Sequence, residues 1–266
     1  MKNNKKIGLA LGSGGFRGYA LIGALQALEE NNIPIDFISG ASIGSLVAAH
    51  YAVFKDYRLL RKDMIDNSKN NLLSIIDFSF NGGLIKGGKF KDLVDKILGK
   101  YNFKDTLIPL RIVATDLISG KAYIFKDGKL ADSVQASCSV PVIFEPVKTE
   151  GHCFVDGGLC DPVPVEILKE SGADIIIAVN LYHKNEFINR HFTVVKVALR
   201  SSRIGLYNLA QASIKSADAV IAPDMSPFTG DNDFKKYLTK EMIEKMIKVG
   251  YEETLTHLPA IKKLLR

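Results

Sequence analysis

The chain has 266 residues, 47% apolar and 24% charged, with a formal net charge of +6 at pH 7. That is the composition of a globular protein long enough for one large α/β domain, with no second domain required. Its three cysteines, Cys138, Cys153 and Cys160, form neither a CxxC pair nor an even set, which argues against a disulfide framework or a zinc site and for a reduced, cytoplasmic setting.

The first residues, MKNNKKIGLALGSGGFRG, imitate a signal peptide, but glycines and Arg17 interrupt the apolar stretch after five residues, so the segment reads as mature protein. Lys6 to Leu11 reads as a buried parallel strand ending in glycine. Residues 16–31 follow with apolar positions at Ala20, Leu21, Ala24, Leu25 and Leu28 opposite Glu29 and Glu30, which is helical spacing. Asn31 to Pro34 breaks that helix, residues 35–39 read as a second strand, and residues 45–54 as a second helix. The uncharged run Phe37–Phe54 is 18 residues long, yet it holds His50, three serines and two glycines, so it fits a strand, turn and helix better than a membrane span. A right-handed crossover then places residues 12–15 and 40–44 at one carboxyl edge of a sheet.

Residues 56–105 are more polar and read as a helical cap insertion with the loop FSFNGGLIKGGKF. Strands are predicted at 110–115, 122–125, 144–148, 153–155, 174–180 and 219–222, with a short helix at 133–139 and a long one at 196–216. The Lys-rich segment from about 234 to 266 reads as amphipathic closing helices. A core over about 7–223 makes this a three-layer α/β/α fold with a mainly parallel sheet in one domain, residues 1–266.

Three short motifs carry chemistry. Gly40-Ala41-Ser42-Ile43-Gly44 is a G-x-S-x-G between a strand and a helix, the context of a nucleophile elbow. Side chains two positions to either side of Ser42 would collide in so sharp a turn, and Gly40 and Gly44 occupy those places. The bland reading is a tight turn whose serine caps a helix. Gly12-Ser13-Gly14-Gly15-Phe16-Arg17-Gly18 invites comparison with a nucleotide loop, and Asp36 could be offered as a ribose-binding acid. However, Arg17 stands where G-x-G-x-x-G needs its third glycine, and there is no phosphate-loop lysine. As an oxyanion hole the loop makes better sense, with the Gly14 and Gly15 amides as donors and Gly12, Ser13, Arg17 and Gly18 as support. One such donor stabilises a transition state by about 3 kcal/mol. Arg17 pins this loop or attracts an anionic head group, and the bland alternative is a surface arginine at a helix start.

The histidines, His50, His152, His183, His191 and His257, have no distinctive catalytic context. Asp156-Gly157-Gly158 is a better source of a base. An apolar strand end delivers the carboxylate, and two glycines allow close backbone approach; partial burial would raise its pKa. An Asp-Gly turn is the ordinary alternative.

Taken in order, GSGGFRG, GASIGS and DGG resemble the patatin-like phospholipase family, in particular its compact single-domain bacterial members. VATDLISGKAYIF (113–125) and ASCSVPVIFEPV (136–147) look like further blocks of that family, and the resemblance runs from Ile7 to about Pro223. It implies a Ser42–Asp156 dyad with no catalytic histidine, an acyl-serine intermediate, and no metal or cofactor. The implied partner is a lipid acyl ester, a phospholipid or lysophospholipid, with the acyl chain suited to the apolar 72–80 and Phe228 regions. Two positions depart from the family: Ser13 replaces a frequent glycine, and Asp161 stands where similar proteins often have asparagine. Asp161 either raises the pKa of Asp156 or caps the next turn, and the cap is the preferred reading.

The positive charge fits a solvated surface first and peripheral contact with an anionic inner membrane face second. No nucleic-acid partner is expected, because no basic stretch is interleaved with aromatics. Asp231-Asn232-Asp233 lacks a calcium-loop spacing and reads as a solvated loop. Two alternatives stay open: an α/β-hydrolase-type esterase with a Ser-His-Asp triad acting on small soluble esters, and a non-catalytic nucleotide- or lipid-binding module.

Overall fold

A computed structural model describes residues 5–67, 88–141, 143–184, 194–228 and 239–266. The elements in chain order are β1 (Ile7–Leu11), α1 (Tyr19–Glu30), β2 (Phe37–Ala41), α2 (Ile43–Phe54), α3 (Tyr57–Asn67), α4 (Gly88–Leu98), β3 (Leu110–Asp116), β4 (Lys121–Phe125) and α5 (Leu130–Ser137). They continue with β5 (Val147–Thr149), β6 (His152–Val155), α6 (Glu166–Glu170), β7 (Ile175–Val179), α7 (Val194–Ser213), β8 (Ala219–Ile221) and α8 (Lys240–Leu264). The strands form one eight-stranded sheet in the order β5-β6-β3-β2-β1-β7-β8, with β4 also paired to β3. From β3 to β8 the neighbours are parallel, while β4, β5 and β6 pair antiparallel.

The central strands IGLAL and IIIAV are buried at every position because both faces of the sheet are covered. Alternation divides them. Leu9, Leu11, Ile177 and Val179 face a core with Leu21 of α1, Leu46 of α2, Leu60 of α3, Val94 of α4, Val134 of α5 and Met246 of α8. Ala10, Ile176 and Ala178 face a smaller core with Leu168 of α6 and Ala210 of α7. This is the expected three-layer α/β/α arrangement, and its mainly parallel strands bring their carboxyl ends to one edge.

Local differences from the sequence expectations have local causes. β2 runs over 37–41 rather than 35–39, because Asp36 is used before the strand starts: its carboxylate accepts from the Ile7 amide (2.8 Å) and its own amide donates to Ile7 O (2.8 Å). Asp36 therefore sits at the amino end of β2, away from the glycine loop, which removes it as a ribose-binding acid for that loop. The helix expected from 45 begins at Ile43, directly after Ser42. The five-residue α6 is too short to show a helical period in the sequence. Within the polar 56–105 segment, α3 and α4 bury Leu60, Met64, Val94 and Leu98 in the first core, while 68–87, with most of the expected loop, lie outside the described residues. The C-terminal segment holds one described helix, the 25-residue α8. Among the described residues no helix is long and apolar enough to cross a membrane.

Candidate active site

The site is organised by one edge of β3. Ile112 to Asp116 pair with β4, so one edge of the strand is filled from Ile112 onward. The opposite edge is shared by two strands. β2 runs parallel along its lower half up to Ala41↔Val113, and β6 runs antiparallel along its upper half, with Val155↔Thr115. The two strands point at each other and both stop there. The residue after β2 is Ser42 and the residue after β6 is Asp156, so 114 residues of sequence separation collapse to a hydrogen bond: Ser42 Oγ donates to Asp156 Oδ2 at 2.5 Å. Both residues are buried.

Ser42 lies at φ 52°, ψ −130°, a conformation that costs about 1–3 kcal/mol in a non-glycine residue. Neighbours hold it there. Its amide donates to Ser137 Oγ (2.8 Å), which in turn donates to Val113 O (2.6 Å), the β3 carbonyl in the gap between β2 and β6. Its carbonyl accepts from Ser45 Oγ (2.6 Å) and Ser45 N (2.8 Å). A Cβ on Gly40 would lie 2.4 Å from Gly44 O, and one on Gly44 would lie 2.2 Å from Leu11 O. The absence of side chains thus lets the first turn of α2 press on the end of β1 and its glycine loop.

Asp156 is fixed through its backbone and left sparsely solvated at its carboxylate. Its amide donates to Ser139 O (2.9 Å), and its carbonyl accepts from Thr115 Oγ1 (2.9 Å). Oδ1 accepts from Gly158 N at 2.8 Å. Burial raises its pKa to about 6, against the lowering effects of the Ser42 and Gly158 bonds. Gly157 approaches β3 so closely that a Cβ would lie 2.0 Å from Val113 O.

In the glycine loop, two amides serve the scaffold: Gly12 N donates to Val179 O (3.0 Å) and Ser13 N to Pro162 O (2.8 Å). The next two residues are Gly14 and Gly15, the latter at φ +59°. Gly18 packs on Ile43, the residue after Ser42. Arg17 is buried; its Nε donates to Gly14 O and its guanidinium to Leu181 O, both at 3.0 Å, and it lies over the Tyr182 ring. These bonds pin the loop to the exit of β7 and leave little of the guanidinium for an external anion. Ser13 Oγ bonds Tyr182 Oη at 2.9 Å in the same buried cluster, so the departure at position 13 is a second tie to that exit.

Each described histidine is paired away from Ser42: His50 with Asp63 (3.0 Å), His152 with Asp116 (3.3 Å), His183 with Asp224 (3.5 Å) and His257 with Glu253 (3.6 Å). His191, residues 72–80 and Asp231 to Asp233 lie outside the described residues. Phe228, expected along an acyl-chain path, is buried in the first core. Asp161 accepts from Ser213 Oγ (3.0 Å) and the Val163 amide, and burial raises its pKa to about 6. It caps the turn at 162–163. Sequence reading overlooked Ser137, Ser139, Ser45, Thr115 and Tyr182. The ASCSVP block was the one available signal for Ser137 and Ser139, and nothing in it disclosed their partners.

A three-layer α/β fold with a strand-end serine bonded to a strand-end aspartate defines a class, and the comparisons name it. The patatin-like phospholipase family model matches residues 9–169, and the chain belongs to that family. A Mycobacterium tuberculosis protein described as an uncharacterized NTE family protein is 35% identical over 182 residues, covering 67% of this chain and 50% of that protein. Patatin-like phospholipase domain-containing protein 7 of Mus musculus is 29% identical over 192 residues, covering 70% of this chain and 14% of that protein. The chain therefore spans about half the length of the mycobacterial relative and a smaller share of the mouse one. The crystal structure of VipD from Legionella pneumophila is similar in fold, with a TM-score of 0.62 at 16% identity over 97% of this chain and 67% of that one.

Proposed function

We propose that this chain is a serine acyl-ester hydrolase acting on lipids, of the phospholipase A or lysophospholipase type, which works through a Ser42–Asp156 dyad. Membership of the patatin-like phospholipase family supports the lipid substrate. The single observation that carries the chemistry is the 2.5 Å bond from Ser42 Oγ to a buried carboxylate whose pKa is raised to about 6. Such a carboxylate is ionised at neutral pH yet basic enough to take a proton as the serine oxygen attacks.

In the first step Oγ bonds the ester carbonyl carbon while its proton passes to Asp156, and the carbonyl oxygen becomes an oxyanion. The amides of Gly14 and Gly15 receive that charge; their neighbours at 12 and 13 are committed to the scaffold, and Ser42's own amide is committed to Ser137. Collapse expels the alcohol, which takes the proton back from Asp156, and leaves an acyl-serine. Water then gives its proton to Asp156 as it attacks the acyl carbon; collapse of the second tetrahedral species breaks the bond to Oγ and releases the fatty acid, while Asp156 returns the proton to Oγ.

A fluorophosphonate probe tests this directly. The expected result is one adduct, on Ser42 by mass spectrometry, which is lost in Ser42→Ala, with ester hydrolysis retained in the single His→Ala variants. Loss of hydrolysis in one of those histidine variants would replace the dyad with a triad. Absence of labelling together with ligand-induced thermal stabilisation would make the protein a binding module.

A further inference from the structure

Apolar surface is concentrated at the carboxyl edge of the sheet, where Ser42 and Asp156 lie. Among the described residues eight large apolar side chains stand exposed, and five of them, Leu117, Ile118, Leu159, Val197 and Ile204, belong to segments at that edge. Leu117 and Ile118, at 52% and 69% exposure, form the turn that follows β3. Leu159 comes three residues after Asp156, and its neighbour Cys160 donates from Sγ to Gly120 O at 3.7 Å. The two segments are thereby adjacent.

Val197 and Ile204 are on α7, and its geometry is unusual for a helix of a packed layer. The chain reaches α7 from Lys184, beyond the carboxyl end of β7, and leaves it toward the amino end of β8. The last turns are anchored: Leu206, Tyr207 and Ala210 pack in the second core, and Ser213 bonds Asp161. Residues 201–205 are exposed at every position, which is more than a full turn of the helix. At 1.5 Å per residue, 194–205 extend roughly 18 Å past the packed turns, on the side of the carboxyl edge.

Charge accompanies this apolar rim. α7 carries Arg200 and Arg203 among its described side chains and has no acidic residue in its sequence. Lys121, Lys148 and Lys184 are exposed around the same edge, against Glu145, Glu150 and Asp224. Among the described side chains named at this edge, basic ones outnumber acidic ones five to three.

We propose that this edge docks on a lipid bilayer bearing anionic headgroups. Leu117, Ile118, Leu159 and the projecting turns of α7 enter the headgroup layer, and the cations of the rim face lipid phosphates. The proposal rests on the reading of Ser42 as the nucleophile of a lipid hydrolase. A bilayer suits the surface better than a second copy of the chain does, because two such rims would bring like charges together. It also suits a helix whose exposed turns extend past its packed ones. Apolar side chains sinking about 5–10 Å into the headgroup region would bring the ester bonds close to the dyad's edge of the sheet.

Vesicle flotation tests the docking separately from the chemistry. The Ser42→Ala protein, which leaves lipid intact, is mixed with vesicles of phosphatidylcholine alone or of phosphatidylcholine with phosphatidylglycerol. Binding to the anionic vesicles is expected, weaker by about tenfold with phosphatidylcholine alone or at high salt. The pairs Leu117→Ser with Ile118→Ser, and Val197→Ser with Ile204→Ser, should each weaken it by about tenfold. Leu255→Ser, an exposed apolar position on α8, should not. With Ser42 restored, both pairs should hydrolyse a soluble short-chain ester at the unaltered rate. Equal flotation of the paired variants and the parent would overturn the proposal. So would a concentration-dependent dimer in sedimentation that both pairs abolish, since that would assign the edge to a second copy. Ester hydrolysis without vesicle binding would remove the docking and leave the hydrolase; vesicle binding without hydrolysis of any ester would support the docking and remove the hydrolase.

Discussion

Two aspartates stand at strand ends of the same sheet, Asp116 on β3 and Asp156 after β6, and their surroundings give them opposite chemistry. Asp116 accepts from Cys153 N (3.1 Å), Ser119 Oγ (2.9 Å) and Ile118 N (3.2 Å), and His152 Nδ1 lies 3.3 Å away. The Cys153 amide leads this set, which holds the carboxyl well below the usual carboxylate range. Asp156 accepts one amide and one hydroxyl, and burial outweighs them. A carboxylate with a full set of donors ties a turn together. One with few donors in a dry place keeps its affinity for a proton, and a base needs that affinity.

Exchanging the carboxylates for amides separates the two roles most strongly. Asp156→Asn is expected to lower kcat by about a thousandfold with the fold intact, as loss of a general base does. Asp116→Asn should keep most of the activity and lower the unfolding temperature instead. If the unaltered enzyme uses Asp156 as its base, kcat/KM should also fall about tenfold per pH unit below about pH 6, where that group protonates. A flat profile down to pH 4.5 would break the contrast.

Ser137 sharpens the same comparison at smaller scale, because it supports the serine half of the pair. Ser137→Ala leaves the Ser42 amide and the Val113 carbonyl without their buried partner, at a cost of about 1–3 kcal/mol for such a group. The strained Ser42 backbone then relaxes. Kinetics should show kcat reduced by about thirtyfold with KM little changed, since misplacement by an ångström has effects of this order. A reduced thermal midpoint with unaltered kcat would make Ser137 a purely structural group.

Asp161 offers the smallest effect and the clearest sign. Its folded pKa is raised to about 6, so between the ordinary aspartate value and pH 6 the native state binds more protons than the unfolded chain. Stability is therefore lost as pH rises through that window, and the loss is complete above pH 6. Asp161→Asn keeps an acceptor for Val163 and Ser213 and removes the buried charge. It should stabilise the protein by about 1–2 kcal/mol at pH 7.5 and be neutral near pH 4, in denaturant titrations at the two values. Stabilisation of equal size at both pH values would exclude a charge effect.

Much of this site was legible along the chain because its parts are local. A strand followed by a glycine loop, and a strand followed by G-x-S-x-G and a helix, are contiguous patterns whose chemistry follows from backbone geometry. Ser42, Gly14 and Gly15 can be picked out that way as candidates, and DGG points to Asp156 only when the family resemblance is added to it. The supports were not legible, since Ser137 is one serine among several in a short helix and Tyr182 one tyrosine after a strand. Their roles depend on which carbonyl or hydroxyl another segment presents.

Apolar periodicity and glycine spacing act over a few residues, so the layers and the strand-turn-helix around Ser42 can be read along the chain, while Asp156 stands out through the family resemblance of its DGG motif. That Ser42 and Asp156 meet is a consequence of tertiary packing. β2 and β6 run toward each other along one edge of β3, and the gap left between their ends is the place where a serine and an aspartate 114 residues apart come within hydrogen-bonding distance. Tertiary packing also decided the proton affinity of Asp156, since burial is a property of everything packed around a residue and of nothing in its own neighbourhood of sequence.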